Sequence, residues 1–144
     1  MQALSAFINL VRATESLLSR TSVTRSRGGL TVSQFGVLES LFHLGPLHQC
    51  ELGTKLLKSS GNITLVVDNL EKRGLVRRVR EGEDRRFVSV HLTDEGRTLI
   101  EKVFPEHAAH IVSEMSRLTP SEQQQLRALC RRLGQNPQEL PPTS

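Results

Sequence analysis

The sequence predicts a mainly α fold of the α+β class, in which one two-stranded β-hairpin lies among helices. Apolar residues recur at three- and four-residue spacing along most of the chain, which is the period of an α-helix. Residues 75–79 and 87–92 have instead the composition and alternation of strands. The 144 residues include five Phe and no Tyr or Trp, so the core must consist mainly of Leu, Val and Ile. This length is typical of one domain, and we expect a single domain over residues 1–144.

Two long helices are predicted in the N-terminal part of the chain. The first covers residues 1–22, where apolar side chains recur at helical spacing. Residues 21–30 are rich in Ser, Thr, Arg and Gly and are predicted as a loop. Thr31 and Gln34 then form a capping box, in which the Thr31 hydroxyl accepts from the amide three residues on and Gln34 reaches back. The helix that this box opens is expected to end at Gly45.

A short helix and a longer, polar-faced helix follow. The short helix is predicted from Gln49 to Lys58, and Ser59-Ser60-Gly61 forms the turn after it. The next helix carries a buried stripe at positions i, i+3, i+4 and i+7, formed by Ile63, Val66, Val67 and Leu70. Gly74 is predicted to close that helix as a C′ glycine, with Leu75 making the accompanying hydrophobic contact.

The last part of the chain is predicted as the hairpin followed by two helices. A wholly polar tip, residues 81–86, joins the two strands. Thr93 can cap a long helix that Pro105 should bend or divide, because proline removes one donor from the helical ladder. Thr119-Pro120-Ser121-Glu122 is a complete start signal for the last helix. Residues 135–144 contain three prolines and are expected to form a flexible tail.

The excess positive charge of the chain is concentrated in one stretch. Residues 72–86 contain seven basic and three acidic residues, so they carry +4, which equals the net charge of the whole chain. A localised basic patch is expected of a surface that binds phosphates. On composition alone, a merely solvated face is an equally open interpretation.

This order of elements predicts a winged helix-turn-helix over residues 31–92. Two short helices joined by a tight turn are followed directly by a basic hairpin, the wing. A helix fills the major groove of B-DNA with its N-terminal residues facing base edges, and wing arginines can enter an adjacent minor groove. We therefore expect contacts to double-stranded DNA from the second helix of this motif, by Ser59, Ser60, Asn62, Thr64, Asn69, Lys72 and Arg73. From the wing we expect contacts by Arg77, Arg80, Arg85 and Arg86.

Several short motifs follow one another in a fixed order along the chain. They are LTVSQF (30–35), GPL (45–47), EL (51–52), SSGNIT (59–64) and DNLEKRGLV (68–76). Asp84, Arg86 and Leu92-Thr93 then form a D-x-R-x5-L-T pattern at the wing. In these motifs the sequence resembles, over residues 4–134, the MarR family of bacterial transcriptional regulators, whose wing signature is D-x-R-x5-L-T. Any one segment is a weak signal, whereas all of them in this order are specific.

The resemblance implies a homodimer whose N- and C-terminal helices interlock, so that two winged helices straddle a pseudo-palindromic operator. It implies that Arg86 is the signature wing arginine and that Asp84 orients it and steadies the wing. It also implies release from DNA by a small-molecule effector or by thiol oxidation, at the junction of the dimerisation helices and the DNA-binding lobe. A repressor is the expected mode, because binding at a promoter blocks polymerase; activation stays open.

The residues of the terminal helices independently favour dimerisation. The first helix has two apolar sets, which is more apolar surface than one contact needs. A purely intramolecular core is the alternative. Within residues 1–22 and 93–134 we expect dimer contacts from Leu4, Phe7, Ile8, Val11, Leu126, Leu129 and Leu133.

Metal and thiol chemistry are weakly represented. Glu106, His107 and His110 are the one constellation that could bind a metal, but solvent-facing histidines are the simpler interpretation, and we expect neither metal nor cofactor. Cys50 and Cys130 fit a reducing compartment without a disulfide framework. We expect Cys130 to be buried on the apolar face of the last helix and Cys50 to be partly buried.

Two broad classes of protein are not expected. No apolar run approaches about 18 residues, so no membrane span is predicted and the chain is expected to be cytoplasmic. Nucleotide-binding loops and a nucleophile elbow are absent from the sequence, so no enzyme is predicted.

The alternative function is a winged helix used for protein–protein interaction or dimerisation without DNA. The basic patch counts against it, because the cores of protein interfaces are depleted in Lys.

Overall fold

The computed structural model describes residues 1–56, 60–83 and 87–135, and within them it is mainly helical with one small sheet. In chain order the elements are α1 (Gln2–Ser26), α2 (Val32–Leu44), β1 (Leu47–His48), α3 (Gln49–Lys55), α4 (Ser60–Lys72), β2 (Val76–Arg80), β3 (Val88–Leu92), α5 (Asp94–Met115) and α6 (Pro120–Gly134). The predicted fold class is confirmed, and each predicted helix and both predicted strands are present. Residues 136–144 of the predicted tail lie outside the described residues.

The first helix is longer than predicted. It continues to Ser26, so the prediction of a loop is wrong for residues 21–26. Thr21 and Thr24 are buried in this extension, and the Thr24 hydroxyl lies 2.9 Å from Nδ1 of His107 on α5, so a partner distant in the chain holds these turns in the helix. The Thr21 hydroxyl also donates to the Leu17 carbonyl at 2.8 Å and the Thr24 hydroxyl to the Thr21 carbonyl at 3.0 Å. Each hydroxyl donates to a carbonyl of the preceding turn, so neither accepts from a backbone amide that the helix needs as a donor. Pro105 lies inside α5 without dividing it.

Both predicted capping boxes are present. At the start of α2 the Thr31 hydroxyl accepts from the Gln34 amide at 3.2 Å, and the Gln34 side chain accepts from the Thr31 amide at 3.1 Å. Thr119 and Glu122 repeat the arrangement at the start of α6, at 3.3 and 2.8 Å. Each box satisfies two of the amides that a helix start leaves without an intrahelical partner.

The sheet has three antiparallel strands in the order β1-β3-β2. The predicted hairpin pairs Val76 with Leu92 at its base and Arg80 with Val88 toward its tip. Strand β1 was not predicted; it pairs Leu47 with Val90. A strand of two residues is too short to show alternation, and only its partner across the sheet identifies it.

The chain divides into two compact units between His110 and Ile111. The first unit contains the hydrophobic core, which is made by side chains from α2, α3, α4, β2, β3 and α5. Its largest fully buried side chains are Val37, Leu38, Leu41, Leu52, Val67, Leu70, Val76, Val90 and Ile100. The predicted stripe of α4 faces this core, since Ile63 is also buried and Val66 packs against it. The second unit contains α6, whose side chains are half-buried or exposed.

Gly74 ends α4 as predicted. Its φ of +71° is the left-handed conformation that a C′ glycine adopts without strain. The Gly74 amide donates to the Glu71 carbonyl at 2.9 Å, and the Leu75 amide donates to the Leu70 carbonyl at 3.0 Å. These two bonds form a Schellman motif, and they turn the chain from α4 directly into β2.

The start of α5 lies against the backbone at the base of the wing. The Thr93 hydroxyl accepts from the Gly96 amide at 3.0 Å, which confirms Thr93 as the cap of α5, and donates to the Gly74 carbonyl at 2.6 Å. A side chain is excluded at Gly96, because an added Cβ atom would lie 1.9 Å from the Leu75 carbonyl oxygen. The glycine therefore allows α5 to begin in contact with the junction of α4 and β2.

Gly96→Ala is expected to destabilise the fold by about 3 kcal/mol, because the methyl group fits only if α5 moves away from Leu75. The measurement is the free energy of unfolding in urea. Gly61→Ala is the matched control: Gly61 lies in α4, and an added Cβ atom there meets nothing within 4 Å. Helix propensity should make the control neutral or stabilising by up to about 1 kcal/mol. Equal losses for the two variants would contradict the close approach at Gly96.

Candidate nucleic-acid interface

Helix α4 has one face in the core and one face exposed. The exposed face carries small or polar side chains at its N-terminal end and a lysine at its C-terminal end. The residues predicted to contact DNA that are exposed on this helix are Asn62, Thr64, Asn69 and Lys72. Ser60 begins the helix, whereas Ser59 lies outside the described residues. This arrangement is typical of a recognition helix, which carries small polar side chains near its N-terminus.

Arg78, in the middle of β2, is the centre of a polar network that joins the wing to α4. Its guanidinium contacts the Asp68 carboxylate at 2.7 Å and the Glu71 carboxylate at 3.3 Å. It also donates to the Thr64 carbonyl at 3.2 Å, and the Arg78 amide donates to Glu71 at 3.0 Å. The side chain is only 20% exposed. Arg78 thus contacts three successive turns of the recognition helix.

The same network includes the start of α3 through Gln49. The Gln49 side-chain oxygen accepts from Nε of Arg78 at 3.0 Å, and its amide nitrogen donates to the Thr64 hydroxyl at 2.9 Å. Thr64, predicted as a DNA contact, therefore also has a partner inside the protein. Sequence reasoning missed Gln49, Asp68 and Glu71. A signal existed for the acids, because two carboxylates at i and i+3 on a helix expected to face phosphates need a nearby cation.

Arg73 lies just after α4 and contacts the turn between α1 and α2. Its two terminal nitrogens donate to the carbonyls of Gly29, at 2.9 Å, and Gly28, at 3.1 Å. This residue was predicted as a DNA contact, and the structure gives it a second role in holding that turn. A guanidinium has five donors, so both roles are chemically compatible.

The wing presents its exposed arginines on β2. Arg77 and Arg80 are exposed, and Arg80 pairs with Val88 at the end of the hairpin nearest its tip. Arg85, Arg86 and Asp84, which the sequence predicts to contact DNA or steady the wing, lie outside the described residues. Among the described residues, the exposed cations at the end of α4 and on β2 are Lys72, Arg73, Arg77 and Arg80, and Arg73 also bonds the Gly28–Gly29 turn.

The candidate metal ligands Glu106, His107 and His110 contact other parts of the protein, whereas the histidines were predicted to face solvent. His107 is 6% exposed, its Nδ1 lies 2.9 Å from the Thr24 hydroxyl, and its ring packs edge-on against Phe35 with centroids 4.5 Å apart. The expectation that it faces solvent is therefore wrong, because α1 extends far enough to cover it. Glu106 forms an ion pair with Arg27, and His110 is half-buried. Across residues 1–56, 60–83 and 87–135, no three His, Cys, Asp or Glu side chains could together hold a metal ion.

The predicted dimerisation residues are mostly exposed in the isolated chain. On α1, Leu4 and Phe7 are 61% and 62% exposed, and Ile8 and Val11 are also exposed. On α6, Leu129 and Leu133 are exposed and Leu126 is half-buried. Each helix thus presents apolar surface to solvent, which is a feature of surfaces that bind another protein.

Both cysteines are exposed and neither forms a disulfide, so the expected burial of Cys130 and partial burial of Cys50 are wrong. Cys130 lies on α6, where Leu129 and Leu133 are also exposed. No helix in the part of the chain that the structure describes is long and apolar enough to span a membrane.

Comparison with known proteins identifies the family. The model of the MarR family matches residues 30–88. The HTH-type transcriptional regulator MhqR of Bacillus subtilis is 35% identical over 139 residues, which is 96% of each chain. The chain belongs to the MarR family. Another member, the HTH-type transcriptional repressor MdtR of Bacillus subtilis, is 33% identical over 107 residues, which cover 74% of this chain and 69% of MdtR.

Solved structures of MarR-family regulators share the fold. Sco3205, a MarR family transcriptional regulator from Streptomyces coelicolor solved in complex with DNA, has a TM-score of 0.82 and 25% identity, covering 90% of this chain and 84% of its own. NadR, solved in complex with 4-hydroxyphenylacetate, has a TM-score of 0.76 and 26% identity, covering 89% and 91%. This MarR-family chain is thus a winged helix-turn-helix, DNA-binding transcriptional regulator.

Arg78→Ala is expected to lower the free energy of unfolding by about 2 kcal/mol, because it leaves the Asp68 and Glu71 carboxylates facing each other without their cation. Urea unfolding measures the loss. Arg77→Ala is the matched control, since it removes the same charge from an exposed neighbour and should change stability by less than about 0.5 kcal/mol. If both variants unfold at the same urea concentration, Arg78 does not brace the wing.

Proposed function

We propose that the protein binds a pseudo-palindromic DNA operator as a homodimer, represses transcription there, and is released by a small-molecule effector. The observation that carries the proposal is the exposed polar face of α4 lying beside exposed wing cations. A helix with small polar residues near its start fits the major groove, and arginines on the adjacent wing strand can reach the flanking backbone or minor groove.

Asn62 and Asn69 are the proposed base-reading residues, because an Asn side chain can pair with adenine through two hydrogen bonds. Thr64 contributes through its hydroxyl or its methyl group. Lys72 and Arg73, near the end of the helix, contact phosphates, and Arg77 and Arg80 do so from the wing. Ser59 and Ser60 at the turn, and Arg85 and Arg86 with Asp84 at the wing tip, complete the interface.

The homodimer is supported by the apolar side chains that α1 and α6 expose. A two-fold axis pairs the same patch on both subunits, and it places two recognition helices on two half-sites in opposite orientation. Consecutive major grooves on one face of the duplex set a spacing of about 10–10.5 bp between half-site centres. Because its proposed target is chromosomal DNA, we place the protein in the cytoplasm.

Repression and effector release rest on the relatives. MdtR is named a repressor, and NadR is solved with an aromatic carboxylate bound. A small-molecule effector of unspecified structure is proposed here by that analogy, with no metal or other cofactor. The protein acts by binding and not as an enzyme.

The alternative is a winged helix that binds only protein. Its discriminating property is the salt dependence of binding, because each phosphate contact adds about −0.9 to the slope of log affinity against log salt. A duplex selected from a random library, followed by footprinting, tests the proposed function directly. Protection of two inverted half-sites supports it, whereas a confirmed dimer that prefers no duplex over random DNA supports the protein-binding alternative.

Arg77→Ala and Arg80→Ala are each expected to make the salt slope of operator binding less steep by about 0.9, because each removes one phosphate contact. Fluorescence anisotropy at several salt concentrations measures the slope. Lys102→Ala is the control, since Lys102 is an exposed cation on α5 and belongs neither to α4 nor to the wing. An unchanged slope in the arginine variants would place the wing off the DNA.

Phe7→Glu is expected to weaken the dimer at least about 100-fold, because it buries a carboxylate in an apolar interface. Sedimentation velocity over a range of protein concentrations measures the dissociation. Asn9→Glu is the matched control: it introduces the same charge two residues away, on the opposite side of α1. If the dimer survives Phe7→Glu but is lost in Asn9→Glu, the interface lies on the Asn9 side of α1 and the proposal is wrong.

A further inference from the structure

The exposed face of α4 includes a large apolar side chain. Leu65 is 60% exposed, whereas Ile63, Val67 and Leu70 of the same helix are buried in the core. Single exposed leucines are common on protein surfaces and need no special explanation there. The position of this one is specific, because it lies on the face that the proposed function turns toward the major groove.

The neighbours of Leu65 are the proposed base-reading residues. Asn62 lies three positions before it and Asn69 four positions after it, and both are exposed, so the three side chains share one face of the helix. Leu65 is the sixth residue of α4 and hence lies in its second turn, close enough to the N-terminus to reach base edges. Its side chain has no hydrogen-bonding group, so it can read only an apolar feature of the groove.

The major groove offers one such feature. Thymine carries a methyl group on C5 in the groove, while the other edges present hydrogen-bond donors and acceptors. We propose that Leu65 is a specificity-determining residue that packs against a thymine methyl group in each half-site of the operator. A cytosine at that position places a desolvated amino group against the leucine, so the same contact selects A·T over G·C. This inference rests on the proposed DNA-binding function.

Replacement of thymine by uracil tests the contact, because it deletes the methyl group and leaves base pairing and the O4 acceptor unchanged. The probe is the duplex selected from a random library by the wild-type protein, with single thymines replaced by deoxyuridine. At one position per half-site we expect wild-type affinity to fall about fourfold, the value of one buried methyl group, and about sixteenfold when both half-sites are changed.

Leu65→Ala supplies the second arm. The variant should bind the thymine duplex more weakly than the wild type does, and should bind the thymine and deoxyuridine duplexes equally. Since Leu65 is exposed, its fold should be unchanged in urea unfolding. Val32→Ala is the matched control, because Val32 is also an exposed apolar residue, 47% accessible, but lies at the start of α2. It should keep the full discrimination between thymine and uracil.

The outcomes separate this inference from the function on which it rests. Selective binding of a palindrome with no position sensitive to deoxyuridine overturns the role of Leu65 and leaves the proposed function standing. Discrimination that persists in Leu65→Ala also overturns it, and assigns the methyl contact to another residue. If no duplex is selected at all, the proposed function fails and the role of Leu65 fails with it.

Discussion

The structure of the DNA-binding lobe depends on one partly buried cation. Arg78 lies between two exposed arginines of the wing, yet its side chain turns inward to the carboxylates of Asp68 and Glu71 and to the side chain of Gln49. These contacts connect α3, α4 and β2 to one another. A recognition helix and a wing that are already fixed relative to each other have less conformational entropy to lose on DNA. The relative position of α4 and the wing is thus set by contacts within the protein.

A second set of contacts connects the junction of α4 and β2 to the long helix α5. The Thr93 hydroxyl donates to the carbonyl of Gly74, the C′ residue that follows α4, and accepts from the Gly96 amide in the first turn of α5. Gly96 lets α5 start against the Leu75 carbonyl with no side chain between them. Further along the same helix, buried His107 contacts Thr24 of α1. The start of α5 is therefore bonded to the end of the recognition helix, and a later turn of α5 is bonded to the first helix.

The features that the sequence predicted are those encoded within a few residues. The capping boxes at Thr31 and Thr119, the C′ glycine at position 74 and the α4 stripe all depend on local geometry. What the sequence did not reveal depends on partners that are distant in the chain. The strand Leu47–His48 exists only beside β3, and His107 is buried only because α1 runs past its predicted end. In the site, the exposed residues of α4 were predictable from helical periodicity, whereas the inward turn of Arg78 was not, because alternation along a strand does not show which acids lie opposite.

The basic residues of positions 72–86 differ in whether their charge is already paired inside the protein. Seven basic residues lie between positions 72 and 86, but Arg78 neutralises acids of the recognition helix and Arg73 spends two donors on backbone carbonyls. Without Arg78, the carboxylates of Asp68 and Glu71 would repel the phosphates that the same helix must approach. The inward arginine therefore serves binding electrostatically as well as structurally, since it cancels negative charge at the edge of the groove-facing surface. One guanidinium offsets one of the two carboxylate charges, so these three side chains together carry −1, and the exposed cations of Lys72, Arg77 and Arg80 outnumber that remaining charge.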